Sequence, residues 1–449
     1  MSPKPYADIH LRLNSRSPLF ACALHMSDSF PPSLVMTCAF ALALVAGALL
    51  KFWLASRQIR HVAEHRNTVP EKFSQTVSLA AHQKAADYTI AKTRFGLVEL
   101  ALGATVLLAW TLLGGLDTLN GALLQLIGPG MAQQIALLVA FASIGGLVEL
   151  PLAWYQTFVI EERFGFNKMS LKLWLADLFK SSVVGALIGI PLAGVVLWLM
   201  GAAGSLWWLW AWGVWMCLNL ALLMLYPTFI APLFNKFKPL DDDVLKNRVT
   251  ALMQRCGFAA KGLFVMDGSK RSAHANAYFT GFGAAKRVVF FDTLLSKLSP
   301  GEVDAVLAHE LGHFKHRHVI KRIAAMFALS LGAFALLGWL STQAWFFTAL
   351  GVRPNLAAAA PNDALALLLF MLVVPVFGLF VSPLFAQISR KHEFEADVYA
   401  VAQTNGRDLS TALLKLYEDN ASTLTPDPIY VKFYYSHPPA SERLTRMVA

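Results

Sequence analysis

Seven apolar runs of roughly 20 residues, the length a helix needs to cross the hydrocarbon core of a bilayer, recur along this chain. They lie at about 33–54, 94–115, 132–157, 180–201, 206–229, 321–348 and 363–386. In hydrocarbon every backbone N–H and C=O must find its partner within the protein, so runs of this length read as helices. The expected architecture is therefore mainly α, a polytopic membrane protein with about seven transmembrane helices. Composition agrees, since 449 residues with 56% hydrophobic and only 15% charged side chains depart from the make-up of a soluble enzyme. Trp207, Trp208, Trp210 and Trp212 cluster at the start of the fifth run, as amphipathic rings do at a headgroup boundary.

Loop charge orients the spans. Arg57, Arg60, Arg66, Lys72, Lys84 and Lys92 follow the first, and Arg163, Lys168 and Lys172 follow the third. Residues 116–131 and 202–205 carry no Lys or Arg, and 349–362 carries only Arg353. The positive-inside rule then places the N-terminus outside and both 230–320 and 387–449 on the cytoplasmic side, at the inner membrane of a bacterium or the endoplasmic reticulum of a eukaryote. The net charge of +10 is dispersed between the apolar runs, which suits anionic lipid headgroups and argues against a nucleic-acid partner. Cys22, Cys38, Cys217 and Cys256 lie far apart and read as unpaired thiols.

These patterns divide the chain into a disordered extension (1–32), five spans with their loops (33–229), a catalytic region (230–320), two spans (321–386) and a catalytic tail (387–449). Met26 and Met36 are alternative starts. Within the catalytic region, Leu263 to Met266 and Arg287 to Phe291 read as strands of a small hairpin-like ribbon, with turn residues around Asp267, Gly268, Gly281 and Gly283. Gly301 to His318 follows Ser299-Pro300 with early acidic residues and helical apolar spacing, and reads as one helix.

That helix carries His309-Glu310-Leu311-Gly312-His313. The i,i+4 spacing sets both imidazoles on one face, able to share a zinc ion, with Glu310 in reach of the water the metal activates. A metzincin would place its third His where Val319 stands. His316 shares only part of the ligand face and His318 points away on a continuous helix, so both read as solvated or interfacial. The third ligand is better sought in Glu393, which shares a helical face with Asp397 just beyond the seventh span. Asp397 would accept the ring N–H of His309 and fix its tautomer, while Glu395 faces elsewhere. Two His, one Glu and one open position describe a catalytic rather than a structural zinc site.

From about Arg57 to Arg446 the sequence resembles the type I CAAX prenyl protease family. The likeness is carried by Ile160 to Lys168, Ile230 to Phe237, Ser272 to Phe282, the H-E-x-x-H pentapeptide and Glu393-x-x-x-Asp397. The resemblance implies seven spans enclosing a chamber, one Zn²⁺ per chain held by His309, His313 and Glu393, and Glu310 as base. It further implies that Asn276 binds substrate backbone and that His437 and Arg443 stabilise the oxyanion. The expected partner is a peptide or protein substrate, lipidated or membrane-associated, cut by metal-assisted hydrolysis. We expect the peptide to add as a strand beside Arg287 to Phe291, with Val289 at its centre. The competing readings are a quality-control protease for damaged membrane proteins and a metal transporter, the latter requiring ligands at mid-membrane.

Overall fold

The computed structural model describes residues 30–258, 262–280, 287–355 and 361–447. Most of the expected extension, Cys22 and the Gly281–Gly283 turn lie outside these residues; the three described cysteines are free. Six helices are long and apolar enough to cross a membrane, and a seventh candidate is a pair bent by 67°. We label the helices α1 (Pro32–Glu64), α2 (Leu79–Trp110), α3 (Gly115–Ile127), α4 (Met131–Tyr155), α5 (Leu171–Ala202) and α6 (Trp207–Leu225). The catalytic region contributes α7 (Asp243–Arg255) and α8 (Pro300–Lys315). Then come α9 (His318–Leu340), α10 (Ala344–Ala349), α11 (Asp363–Gly378), α12 (Ser382–Gln403), α13 (Gly406–Asp419), α14 (Pro428–Tyr434) and α15 (Ala440–Met447).

Several spans outrun the apolar windows that announce them. α1 and α2 together form a hairpin whose polar ends reach the catalytic region: Arg57 pairs with Asp427 at 2.8 Å, and Gln58 accepts the Asp427 N–H at 2.7 Å. Asp427 in turn caps α14. Between the ends, packing is sparse. None of the six unbroken spans has more than 17% of its most apolar window buried, so these six do not close on one another as a solid bundle, whereas α11 buries Leu365, Leu368, Leu369 and Val373 among them. Two apolar clusters hold them instead. One, at the far end, gathers Phe40, Leu116, Leu137, Leu197, Phe346 and Leu369. The other packs the sheet against the helices of the catalytic region through Val249, Val288, Phe290, Leu294, Leu307 and Leu413.

Three expectations are corrected here. The seventh run is not one straight helix. α11 ends at Gly378, and α12 restarts at Ser382 with Pro383 in its first turn, where a missing N–H costs nothing. The run 116–131, expected as a loop, folds mostly into α3, whose Asp117 pairs with Arg353 at 2.8 Å. The zinc-candidate helix stops at Lys315, because Arg317 adopts φ 57 and α9 starts afresh at His318. A left-handed Arg is sterically disfavoured and is held only where its surroundings demand it.

The strands form a four-stranded mixed sheet of β1 (Phe237–Pro239), β2 (Gly262–Met266), β3 (Ala277–Thr280) and β4 (Arg287–Phe291), in the order β1-β2-β4-β3. β2 and β4 are parallel neighbours (Leu263↔Val288) rather than a hairpin; the antiparallel hairpin joins β3 to β4 (Tyr278↔Val289). Both edges of β4 are thus occupied and Val289 is buried, so a peptide cannot add beside it. β3 is an edge strand, and its first residue, Ala277, lines one cavity with His309 and Glu393.

α8 begins with a capping box, in which Ser299 and Glu302 satisfy each other's backbone N–H groups, and Lys415 of α13 neutralises Glu302 at 2.8 Å. Its other end meets α12 so closely that a Cβ on Gly312 would stand 2.9 Å from Ala396 Cα and 3.1 Å from Ala396 O. Both are backbone atoms with little freedom to move. Gly312→Ala should therefore destabilise the protein by roughly 1–3 kcal/mol, the usual cost of overpacking. Gly103→Ala, where a Cβ meets nothing within 4 Å, should not. Thermal unfolding of the two variants in detergent tests this, and equal unfolding temperatures would show that α8 and α12 are free to separate.

Candidate active site

The contact at Gly312 brings two i,i+4 pairs face to face: His309 and His313 on α8, Glu393 and Asp397 on α12. The two Nε2 atoms lie 3.2 Å apart, and each stands 3.4 Å from a Glu393 oxygen. Ligand atoms of these three residues all fall within 4.8 Å of one another. Glu393 is buried, and its Oε2 has no hydrogen-bond partner. A buried carboxylate oxygen without a partner is costly, and two converging imidazoles with a carboxylate are the donor set zinc prefers. The residues present fit a divalent metal.

Each imidazole is held from behind. His309 Nδ1 lies 2.9 Å from Asp397 Oδ1, and Asp397 is gripped by Arg443 through Nε at 2.8 Å and NH2 at 2.5 Å. His313 Nδ1 lies 3.0 Å from His318 Nδ1, whose Nε2 lies 2.8 Å from Glu395 Oε2. Burial lowers the His309 pKa, but the Asp397 and Glu393 carboxylates beside the ring outweigh it and hold it at about 9. Burial and the charge on His309 depress His313 to about 4. The carboxylates thus favour an additional proton on His309, which a cation bound at Nε2 would have to displace. Burial, helped by the negative charge of Glu393, raises the Glu310 carboxyl above the usual carboxylate range, toward values useful for taking and returning a proton.

One cavity collects Asn276, His309, Glu310, Glu393, His437 and Arg443 along its wall. The sequence-predicted residues other than Val289 therefore meet, but not all in the posts expected. His437 is exposed, with Nε2 3.5 Å from Glu393 Oε1, open to a reacting group above the ligands. Arg443, expected beside a reacting oxyanion, is buried behind His309 with two of its nitrogens committed to Asp397. His318, expected to be solvated, is 1% exposed, and Glu395, expected to face away, is its partner. Both departures follow from the break at Arg317, which no Gly or Pro announces.

Asn276 sits where it does because the segment before β3 is anchored from two sides. Phe166 stacks on His274 at 4.3 Å and accepts the Ala273 N–H, while Arg271 forks Asp177 at 2.8 and 3.1 Å. Asn420, at the end of α13, accepts the Ala275 N–H and lies 3.1 Å from His274 Nδ1. The tail bearing His437 is held by Arg390, which donates to the carbonyls of Val431 and Tyr435. His274, Asn420 and Arg390 were not singled out from sequence, because each acts through backbone that only the fold brings near.

Comparison with known proteins agrees with this architecture. Residues 58–236 match the CAAX prenyl protease N-terminal domain with its five membrane helices, and residues 239–449 match peptidase family M48. CAAX prenyl protease 1 of Saccharomyces cerevisiae is 32% identical over 88% of this chain and 91% of its own length. The Homo sapiens homologue is 31% identical over 88% and 92%. The crystal structure of S. mikatae Ste24p superposes with a TM-score of 0.86 at 30% identity, covering 94% of this chain and all of that one. With both halves matched, seven candidate spans and a buried His-His-Glu centre, the chain belongs to the type I CAAX prenyl protease family of M48 integral-membrane metallopeptidases.

Proposed function

We propose that this metallopeptidase holds Zn²⁺ between His309, His313 and Glu393 and cleaves near the C-terminus of lipid-bearing, CAAX-type proteins. The observation that carries the reading is the convergence of His309 Nε2, His313 Nε2 and the buried Glu393 carboxylate, whose Oε2 accepts no hydrogen bond, with Glu310 on the same cavity wall. The substrate class is taken from the names of the relatives, which are CAAX prenyl proteases. Apolar space between sparsely packed spans suits a lipid-modified chain end. Loop charge favours a cytoplasmic catalytic end. In this division of labour 33–229 and 321–386 form the membrane frame, 230–320 supplies the base and two ligands, and 387–449 supplies the third. A metal-transport reading is disfavoured, since both histidines stand on α8, which is not among the membrane-length helices.

Zinc bound there supplies Lewis acidity, making water acidic near neutral pH and polarising the scissile carbonyl. Glu310 takes the proton of the attacking water and returns it to the leaving amine. His437 donates to the oxyanion as it develops. Asp397 holds His309 with Nε2 bare, and Arg443 keeps Asp397 charged and in place.

The substrate backbone is proposed to pair with β3 rather than β4. The Phe291 N–H donates to Asn276 O, so by alternation the Phe279 N–H points to the open edge. Asn276 lies one residue before that strand, at the cavity wall. Lone main-chain bonds contribute modestly, and side-chain selectivity should be broad.

Three outcomes test the reading. Glu310→Gln should bind one zinc per chain yet fail to cleave a farnesylated peptide, whereas His309→Ala, His313→Ala and Glu393→Ala should lose the metal. Full zinc in Glu393→Ala would remove it from the ligand set, and equal turnover of farnesylated and unmodified peptides would remove the lipid requirement. Asp397→Asn should weaken zinc binding roughly 10- to 100-fold, as measured by chelator competition. Phe279→Pro should raise KM roughly two- to tenfold, the worth of one hydrogen bond, while Phe279→Val stays near the parent. A Pro variant with the parental KM would move the peptide off this edge.

A further inference from the structure

Zinc ligation by His313 through Nε2, on which this inference rests, requires its ring proton to sit on Nδ1. That nitrogen faces His318 Nδ1 at 3.0 Å, a distance at which two imidazoles share a single proton. Which ring owns it is decided on the far side of His318. Its Nε2 stands 2.8 Å from Glu395 Oε2, and a bare nitrogen aimed at a carboxylate would be repelled. Nε2 therefore carries the His318 proton and donates it, His318 Nδ1 is left as an acceptor, and the shared proton belongs to His313. We propose that His318 is a positioning residue for His313, relaying the charge of Glu395 so that Nε2 of His313 is held bare and aimed at the metal.

The fold is built for this contact. The left-handed Arg317 ends α8 and turns the first residue of α9 back under the ligand, where it is 1% exposed. His392, the residue before Glu393, stacks on the His318 ring at 3.9 Å between centroids and 13° between planes, fixing its rotation. The arrangement is the counterpart of Asp397 behind His309. On that side the carboxylate is reached directly; on this side an imidazole spans the gap.

His318, His392 and Glu395 also bring ligand atoms within 4.8 Å of one another, as a second metal site would. Their geometry opposes it. Zinc binds imidazole in the ring plane at roughly 2.0–2.1 Å, and two nearly parallel stacked rings cannot direct in-plane lone pairs at one ion. Both His318 nitrogens are in any case committed.

The test is zinc affinity of the purified full chain in detergent, read by chelator competition and by the visible spectrum of the cobalt-substituted protein. His318→Phe keeps the ring stack and removes the acceptor, and should weaken zinc roughly 10- to 100-fold. His318→Asn, whose carboxamide oxygen stands at the position of the imidazole Nδ1 and can accept the same bond, should recover affinity to within about threefold, a rescue that a packing role would not give. Glu395→Ala, near the surface, should weaken zinc roughly three- to tenfold by freeing the His318 tautomer. Parental affinity in His318→Phe, equal losses in the Phe and Asn variants, or no loss in Glu395→Ala would each overturn the proposal. His313→Ala measured in parallel separates the two readings, since zinc retained there would mean that His313 is no ligand and that the underlying site assignment has failed.

Discussion

The approach of α8 to α12 at Gly312 is the constraint on which the catalytic end depends. Gly312 lies between His309 and His313, and the Ala396 it touches lies between Glu393 and Asp397. One backbone contact therefore sets the height of both pairs at once. Any side chain at 312 beyond a hydrogen would part the helices at the point where the Nε2 atoms and the Glu393 oxygens must meet. Further supports act on the same two helices. Glu302 and Lys415 fix the start of α8, and Arg443 fixes Asp397 on α12.

Around that contact the chain gathers more negative charge than it neutralises. Glu310, Glu393 and Asp397 stand against one guanidinium, that of Arg443, which with neutral imidazoles leaves a deficit of two charges. Burying carboxylates costs several kcal/mol each unless they are paired, and among the described residues Arg443 is the one buried Lys or Arg. A divalent ion supplies the rest. The same carboxylates raise His309, while burial and the charge of His309 lower its neighbour His313. The Asp397–Arg443 pair is an orienting device more than a source of stability, since a buried ion pair roughly balances its own desolvation.

Much of this was legible before the fold. Apolar run length located the spans because a bilayer admits no other solution, and i,i+4 spacing located both ligand pairs because it needs only a local helix. What escaped was whatever depended on a change of direction. Breaks of three residues at 379–381 and two at 316–317 lie inside patterns that stay helical in period, so the bend of the seventh span and the burial of His318 could not be read from them. Sheet order escaped for a related reason: Leu263 to Met266 and Arg287 to Phe291 look like a hairpin by spacing, and only the intervening β3 reveals them as parallel neighbours. Val289 was misplaced with them. The post of Arg443 was missed because sequence can show that a cation is near a site, but not which side of an imidazole it occupies.

The membrane accounts for the openness between the two packed ends. In water, helices as apolar as α5 and α11 would collapse on each other, because every exposed side chain would be driven inward. In lipid there is no such drive, and helices stay together only where packing or hydrogen bonds hold them. Here those contacts are concentrated at the termini: the Phe40, Leu116 and Phe346 cluster at one end, and the sheet with its helices at the other. Between these ends the spans meet through individual contacts, such as the Trp212 indole N–H donating to Ser330 Oγ and the Trp215 ring meeting Phe327, without the extensive burial that a soluble fold of this size would require. The same freedom lets α12 leave its span at 67° and carry Glu393 to α8, a bend a tightly packed bundle would resist.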